Sequence, residues 1–405
     1  WGDNHFSVLT SGNIDNDCLG SGNIVGYRTV SVSDENGTVR KTFRCEPNTV
    51  PDIRLPGMPL NERNDNGLCT EIKYLNVNGE TVRTVVRAYR QRDKEIRKGI
   101  QIYVTPVKYH GVIWIPALPT GEGILNVYYP KYYDIVSDRW EETGQTEIDH
   151  MSAGNLLTVT EYEYNDKYQQ TSVTVTDSEG KRVTDRTVYP CDISGGVYPD
   201  MTRKNMLDYP VEAIRTMEDQ VTSATLCTYS EANFLPEAWY RLETDIPQPS
   251  FTPFDGNTKD SRYEPVPQTR ILQRDKRGNI RETVDKTGTH TVFLWGYGSR
   301  YLIAKIENAS WEQVTAVLPA ATLDELAEPT FPDDATLRET LAPLRAGLPA
   351  SSVTVYTHVP TIGASSVTDP SGRTIHYRYD ALGRLKTVVD EAGHMLKTYD
   401  YHYQR

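Results

Sequence analysis

The chain has 405 residues, 38% hydrophobic, 24% charged and 10% aromatic, and a formal net charge of −12. That length holds two or three domains or one elongated repeat body, and its composition is too apolar-poor for a thick-cored α/β enzyme yet too aromatic for a disordered chain. The negative balance excludes sequence-independent nucleic-acid binding except through a local basic patch. Tyr supplies 26 of the aromatics against 7 Phe. Tyr forms strands and can bury its ring while keeping its hydroxyl wet, which suits thin sheets with exposed faces. No apolar run approaches the roughly 18 residues of a membrane-spanning helix. The chain opens on Trp1 without Met or a signal peptide, as expected of a processed product, a fragment or the ordered part of a longer protein.

In chain order, residues 1–70 are rich in Asn, Gly, Asp and Pro. Asn13, Asp15 and Asp17 open like a calcium loop, but the Gly and closing Glu of an EF-hand are missing, so an ordinary Asx turn is expected and no metal. Short strands are predicted at Tyr27–Val32 and Val39–Phe43 around the turn Asp34–Gly37. A hairpin follows, Glu71–Val77 and Glu80–Tyr89 around Asn78–Gly79. The basic run Arg87–Lys98 contains Asp93 and Glu95 and reads as a solvated edge or a short helix. Further strands are predicted at Gln101–Val107, Val112–Ile115 and Ile124–Tyr129, with a turn at Pro116–Gly123. This first part reads as a sandwich or an irregular sheet.

From Thr158 the pattern becomes periodic. Thr158–Tyr164, Thr171–Thr176 and Lys181–Tyr189 alternate; Tyr198–Pro210 reads as a helical turn and loop feeding Val211–Met217, and Thr222–Tyr229 is another strand. Ile246–Pro267, with five prolines, is a loop. Nine Asp-x-x-Gly tetrapeptides punctuate the chain: Asp17/Gly20, Asp34/Gly37, Asp177/Gly180, Asp192/Gly195, Asp275/Gly278, Asp285/Gly288, Asp369/Gly372, Asp380/Gly383 and Asp390/Gly393. Independent placement would give about two. Asp at the head of a type I turn caps the following amides, and Gly in the left-handed conformation closes a hairpin with a bulge, so the excess predicts repeated hairpins. In the last repeats Ile375, Tyr377 and Tyr379 share one strand face, with Thr374, His376 and Arg378 on the other. Ser310–Ala346 breaks the rule with Val and Leu at three- and four-residue spacings. Capping boxes at Ser310/Gln313 and Thr322/Glu325 and a stop at Gly347 predict short inserted helices that plug or cover a sheet edge.

Enzyme signatures are missing: no G-x-S-x-G, H-E-x-x-H, P-loop or G-x-G-x-x-G occurs, and Gly296 and Gly298 lie in a tight strand turn. His376 and His402 read as solvated strand residues. Glu141 and Glu142 beside Trp140, with Asp134 and Asp138 near, offer the carboxylates of a glycosidase, without showing paired geometry. The five cysteines, Cys18, Cys45, Cys69, Cys191 and Cys227, lack metal-site spacing; the first three could supply one disulfide. The aromatic cluster Tyr103, Tyr109, Trp114, Tyr128, Tyr129, Tyr132, Tyr133 and Trp140 is either sheet core or a face that stacks on sugars or docks a protein.

Tyr379, Asp380, Gly383, Arg384 and Leu385 resemble the YD repeat of RHS proteins, and Tyr399–Asp400 opens a second copy. Asp275, Gly278, Asn279 and Ile280, followed by Leu294–Tyr297 and Tyr301–Ile306, resemble a related segment of RHS-like proteins of the Bacteroidetes. The resemblance covers 269–306 and 353–403, more faintly 158–237, and implies a large extracellular β-shell or β-spiral without implying an activity. Toxin-bearing shells of this kind often carry a self-cleavage motif, Asp-Pro-x-Gly-Leu. Here Asp369 and Pro370 lead to Gly372 and then Arg373, inside the repeats, which reads as a strand turn and weighs against a toxin cocoon.

The expectation is an all-β chain of stacked hairpins forming a curved RHS/YD-repeat wall or shell: residues 1–157 a divergent N-terminal β region, 158–308 a repeat body, 309–350 inserted helices and 351–405 YD repeats. Its expected role is a non-catalytic extracellular or cell-surface scaffold without cofactor or metal. The expected partner is a protein at the outer membrane or an enclosed polypeptide, and not nucleic acid. The alternatives are a glycan-binding module using Trp114, Tyr128, Tyr129, Tyr132, Tyr133 and Trp140, and a shell fragment of a toxin-delivery protein. The residues Asp275, Gly278, Asp285, Gly288, Asp369, Gly372, Asp380, Gly383, Arg384, Asp390 and Gly393, with Tyr379, Tyr399 and Asp400, are expected to build turns.

Overall fold

The computed structural model describes residues 27–46, 65–109, 123–242, 244, 246–328 and 333–402. The chain divides into two compact units, residues 1–184 and 185–405. It is all-β in class, with antiparallel strands that pair with their neighbours in sequence, the pattern short turns impose.

In the first unit β1 (Thr29–Asp34), β2 (Gly37–Phe43), β3 (Cys69–Leu75), β4 (Thr81–Tyr109), β5 (Gly123–Met151), β6 (Gly154–Tyr164) and β7 (Gln170–Thr176) form one ladder. The residue 157/158 boundary expected between domains lies inside β6, and the division between units falls in β8 (Arg182–Val188). Ile72 and Val85 are the buried apolar side chains of this unit among the described residues. The described residues of this unit form a thin sheet with almost no core. The run Arg87–Lys98 is the solvated edge of the two expected forms and not a helix: it lies in the middle of the 29-residue strand β4, pairs with β5 on one side apart from the bulge, and has no strand on the other side among the described residues. A bulge at Arg92–Glu95, with Asp93 at φ 53°, lets the ribbon continue past the charge run. Asn13–Asp17, Cys18, Val112–Ile115 and the turn expected at 116–122 lie outside the described residues. Cys45 and Cys69 are unbridged.

The second unit opens with α1 (Tyr198–Arg203) and continues through β9 (Glu212–Met217), β10 (Gln220–Tyr229), β11 (Pro236–Leu242), β12 (Thr269–Arg274), β13 (Ile280–Asp285), β14 (His290–Gly296) and β15 (Tyr301–Glu307). Three helices follow, α2 (Trp311–Val317), α3 (Ala320–Leu326) and α4 (Asp334–Gly347), then β16 (Ser352–Val359), β17 (Gly363–Thr368), β18 (Thr374–Tyr379), β19 (Leu385–Asp390) and β20 (Met395–Thr398). From β9 to β20 each strand pairs antiparallel with the next.

This unit has two cores. One joins Val197, Tyr198 and Met201 of the α1 region to Ile214, Leu226 and Leu242. The other lays Val314, Leu323, Leu337, Leu341 and Leu344 of the inserted helices on Leu294, Ile303, Val353 and Val355. The helices therefore cover a sheet face rather than the edge expected, because their apolar stripes need the area of several strands. The Ser310/Gln313 box caps α2 as predicted, with Gln313 N–H donating to Ser310 Oγ at 3.3 Å. The Thr322/Glu325 box does not form. Pro319 is the N-cap of α3, so Thr322 is already inside the helix. Two arginines hold α4 on the sheet: Arg338 donates to Ser366 Oγ at 3.0 Å, and Arg345 to the carbonyls of Val353, Asp369 and Pro370. Beneath Arg338 the covered face is hydroxylic, with Thr357 bonded to Ser365 and Ser366 and Thr368 to Thr374.

Candidate interaction surface

The repeat turns share one geometry. At Asp380 the carboxylate accepts the N–H groups of Leu382 (2.8 Å) and Arg384 (3.0 Å), while Gly383 N–H donates to Asp380 O at 3.0 Å. Arg384 closes on the same carboxylate at 2.6 Å and lies 4.5 Å over the Tyr401 ring. This explains why the motif needs Asp, Gly and Arg together: the Asp satisfies the turn amides, and the Arg ties turn to strand. Hydrogen bonds from the Ser371 hydroxyl and Arg373 N–H hold the Asp369 carboxyl down at about 2. Asp275, Asp285 and Asp390 accept the corresponding amides at Asn279, Thr289 and His394, and Gly278, Gly288, Gly372 and Gly393 close their turns in the left-handed region. Tyr379 O–H donates to Ala364 O at 2.8 Å, and Tyr399 N–H to Lys386 O; Asp400 is exposed beyond β20. Asp192/Gly195 is a correction: Asp192 ends a 3-10 turn and accepts Tyr189 N–H, so it heads no hairpin. Asp17/Gly20 lies outside the described residues.

The same turn occurs where the formula does not reach. Asn165 accepts the amides of Lys167 (2.9 Å) and Gln169 (3.1 Å), with Tyr168 at φ 66° in the glycine position. Asn76 does likewise for Asn78 and Glu80. Asn offers the same acceptor oxygen as Asp, so a search for Asn-x-x-Gly finds the Asn76 turn, while the Asn165 turn, with Tyr168 in place of Gly, escapes it.

The surface feature of the first unit is the β4–β5 ribbon. β3 pairs with β4 only through Val86, and β6 pairs with β5 only from Gly144. Over Ile96–Tyr109 and Gly123–Val136 the ribbon has two strands and no third among the described residues. The cross-strand pairs Ile96–Val136, Lys98–Asp134, Ile100–Tyr132, Ile102–Pro130 and Val104–Tyr128 share one face. On it Ile96, Ile100, Ile102, Tyr128 and Tyr132 are 51–64% exposed, and Lys98 and Asp134 form an ion pair in their midst.

The predicted aromatic cluster is thus divided. Tyr128 and Tyr132 stand on the apolar face, and Tyr129 belongs to the opposite one, paired with Tyr103. The side chains of Tyr103, Tyr109 and Tyr133, and Trp114 altogether, lie outside the described residues. Trp140 is no open platform: its N–H donates to Asp138 at 3.2 Å and Arg44 lies 4.9 Å over its ring.

At the ribbon's base the Glu141 side chain is 2% exposed and is held by Arg90 and Arg92, each at 3.1 Å. Arg92 also donates to Asn165 O and pairs with Asp166, and Arg92 and Arg139 both lie over the Tyr168 ring. Glu142 faces Arg87 at 3.8 Å. Glu141 therefore braces the ribbon, with both carboxylate oxygens engaged by guanidinium groups. No group of three or more metal-ligating side chains occurs among the described residues, and no helix of these residues is long and apolar enough to cross a membrane.

Residues 364–395 match the family model described as RHS Repeat. No curated protein matches the chain. Among solved structures, the chain is similar to the Photorhabdus luminescens Tc holotoxin pore at 10% identity and TM-score 0.25, covering 90% of this chain and 20% of that one. It is similar to the TcdB2–TccC3 complex without its hypervariable C-terminal region at 9% identity and TM-score 0.24, again covering 90% and 20%. A porin-like protein from Bacteroides uniformis matches at 10% identity and TM-score 0.18, with 89% of this chain and 92% of that one covered. The chain spans about a fifth of the length of the Tc structures it matches.

Proposed function

The chain carries an RHS repeat, and we propose that it is a non-catalytic scaffold of stacked hairpins that docks a partner protein on the apolar face of its β4–β5 ribbon. The observation that carries this reading is the row Ile96, Ile100, Ile102, Tyr128 and Tyr132, exposed on a two-stranded ribbon. An isolated two-stranded hairpin is marginal in water, and exposed apolar rows mark interaction sites. The thinness of the core among the first unit's described residues supports the same conclusion, since a partner would supply a second layer. The setting proposed is extracellular or at the cell surface, in keeping with the RHS repeat.

Purification from the producing cells tests the proposal. A protein partner is expected at fixed stoichiometry, lost in Ile100→Asp and Tyr132→Asp variants that keep the parent's unfolding midpoint. A monodisperse chain without partner, or variants that retain the partner unchanged, would overturn it.

A further inference from the structure

Glu212, the first residue of β9, is fully buried. Its carboxylate accepts Phe254 N–H at 3.0 Å on one oxygen and Tyr263 O–H at 2.9 Å on the other. Both donors belong to the loop 250–263 between β11 and β12. The ends of this loop are fixed independently, by the bridges Val221–Gln248 and Leu242–Tyr263. Its middle crosses α1, where Phe254 meets Tyr198 edge-to-face at 5.7 Å and Gly256 touches Gly195 and Gly196 backbone to backbone. With Tyr198, Tyr229, Asn257 and Lys259, Phe254 lines a half-open cavity of about 250 Å³.

We propose that this loop is a strap latched by Glu212, closed while the carboxyl holds its proton and loosened when the proton leaves to solvent, which widens the cavity beneath it. A buried carboxylate without a cation in hydrogen-bond contact is costly in its charged form. Burial therefore pushes the Glu212 carboxyl above the usual range, outweighing the opposing pull of Phe254 N–H, Tyr263 O–H and the more distant charge of Arg186 in β8. The other groups facing it do not offset this. Asp260 of the strap repels it, and the phenols of Tyr263 and of Tyr198 in α1 are pushed up by burial and stay neutral. Asp260 is itself tied to Arg262 and Thr252 N–H and stays ionised, so Glu212 is the strap's titrating contact. A raised folded value means that closure is complete below the unfolded-chain value and is lost as pH rises through the folded one.

Hydrogen exchange of the full chain from about pH 5 to about pH 9, corrected for intrinsic rates, reads the latch directly. Protection of peptides covering 250–263 should fall as pH rises, while peptides from β14 and β15 hold theirs. Glu212→Gln should remove the pH dependence. Tyr263→Phe, which keeps the carboxyl but deletes one donor to its charged form, should raise the folded value further and move the loss to higher pH. Constant protection in the parent, or an unchanged pH profile in Glu212→Gln, would overturn the proposal. Should Glu212→Gln not fold, an unmoved profile in Tyr263→Phe does the same.

Discussion

Replacing two glycines separates the conformational from the steric requirement of the hairpin architecture. Gly372 closes the Asp369 turn at φ +86°, and a Cβ built on it meets nothing within 4 Å. Gly372→Ala therefore adds no clash, and its whole cost is that of holding an L-residue in the left-handed region, about 1–2 kcal/mol. Gly372→Asn should recover part of this, since Asn tolerates that conformation. Gly196 also has positive φ, +58°, but its Cβ would lie 2.4 Å from Gly256 O. Gly196→Ala should add a further ~1–3 kcal/mol because the strap backbone must shift. Urea unfolding of the full chain measures each loss. The reasoning fails if Gly372→Ala is neutral, if Asn costs as much as Ala there, or if Gly196→Ala costs no more than Gly372→Ala.

Other outcomes follow from packing and charge. Leu341 of α4 is fully buried against the sheet, and Leu341→Ala should lose about 3 kcal/mol on urea unfolding. Glu141→Gln leaves Arg90 without its counter-charge and Arg92 with only its exposed partners Asp93 and Asp166, and should cost about 3 kcal/mol, near the low end for breaking a buried pair since Arg90 is half-exposed; hydrogen exchange at the ribbon base should rise. The Arg262 guanidinium holds the Asp260 carboxyl far below its usual range. Its stabilisation is complete above the unfolded-chain value of about 4 and is lost as pH falls below it, so Asp260→Asn should flatten the acid limb of a stability profile.

What the sequence made legible were features with a local cause. Asp-x-x-Gly turns form because one carboxylate and one left-handed residue suffice, and they form at Asp275, Asp285, Asp369, Asp380 and Asp390. The Ser310 cap is equally local. Where the pattern failed, distant partners decided. The charge run Arg87–Lys98, legible as a solvated edge or a helix, is strand edge and not helix because Glu141, Glu142 and Asp134, some 36 to 55 residues on, lie across from it. Trp140 is not an open stacking platform because Asp138 takes its N–H and Arg44 covers its ring. The inserted helices had the right stripes, but which surface they cover depends on Val353 and Val355, beyond them in sequence. Glu212 gave no signal at all, because nothing around residue 212 foretells donors at 254 and 263.

The central claim is that the apolar ribbon face meets a protein. Site-specific photo-crosslinking in the producing cells tests it most directly, with the photoreactive residue at Tyr132 and, as control, at exposed Val77 outside the ribbon. A discrete crosslinked protein from position 132 and none from position 77 is the predicted result. Equal, diffuse or absent crosslinking at both would contradict the account.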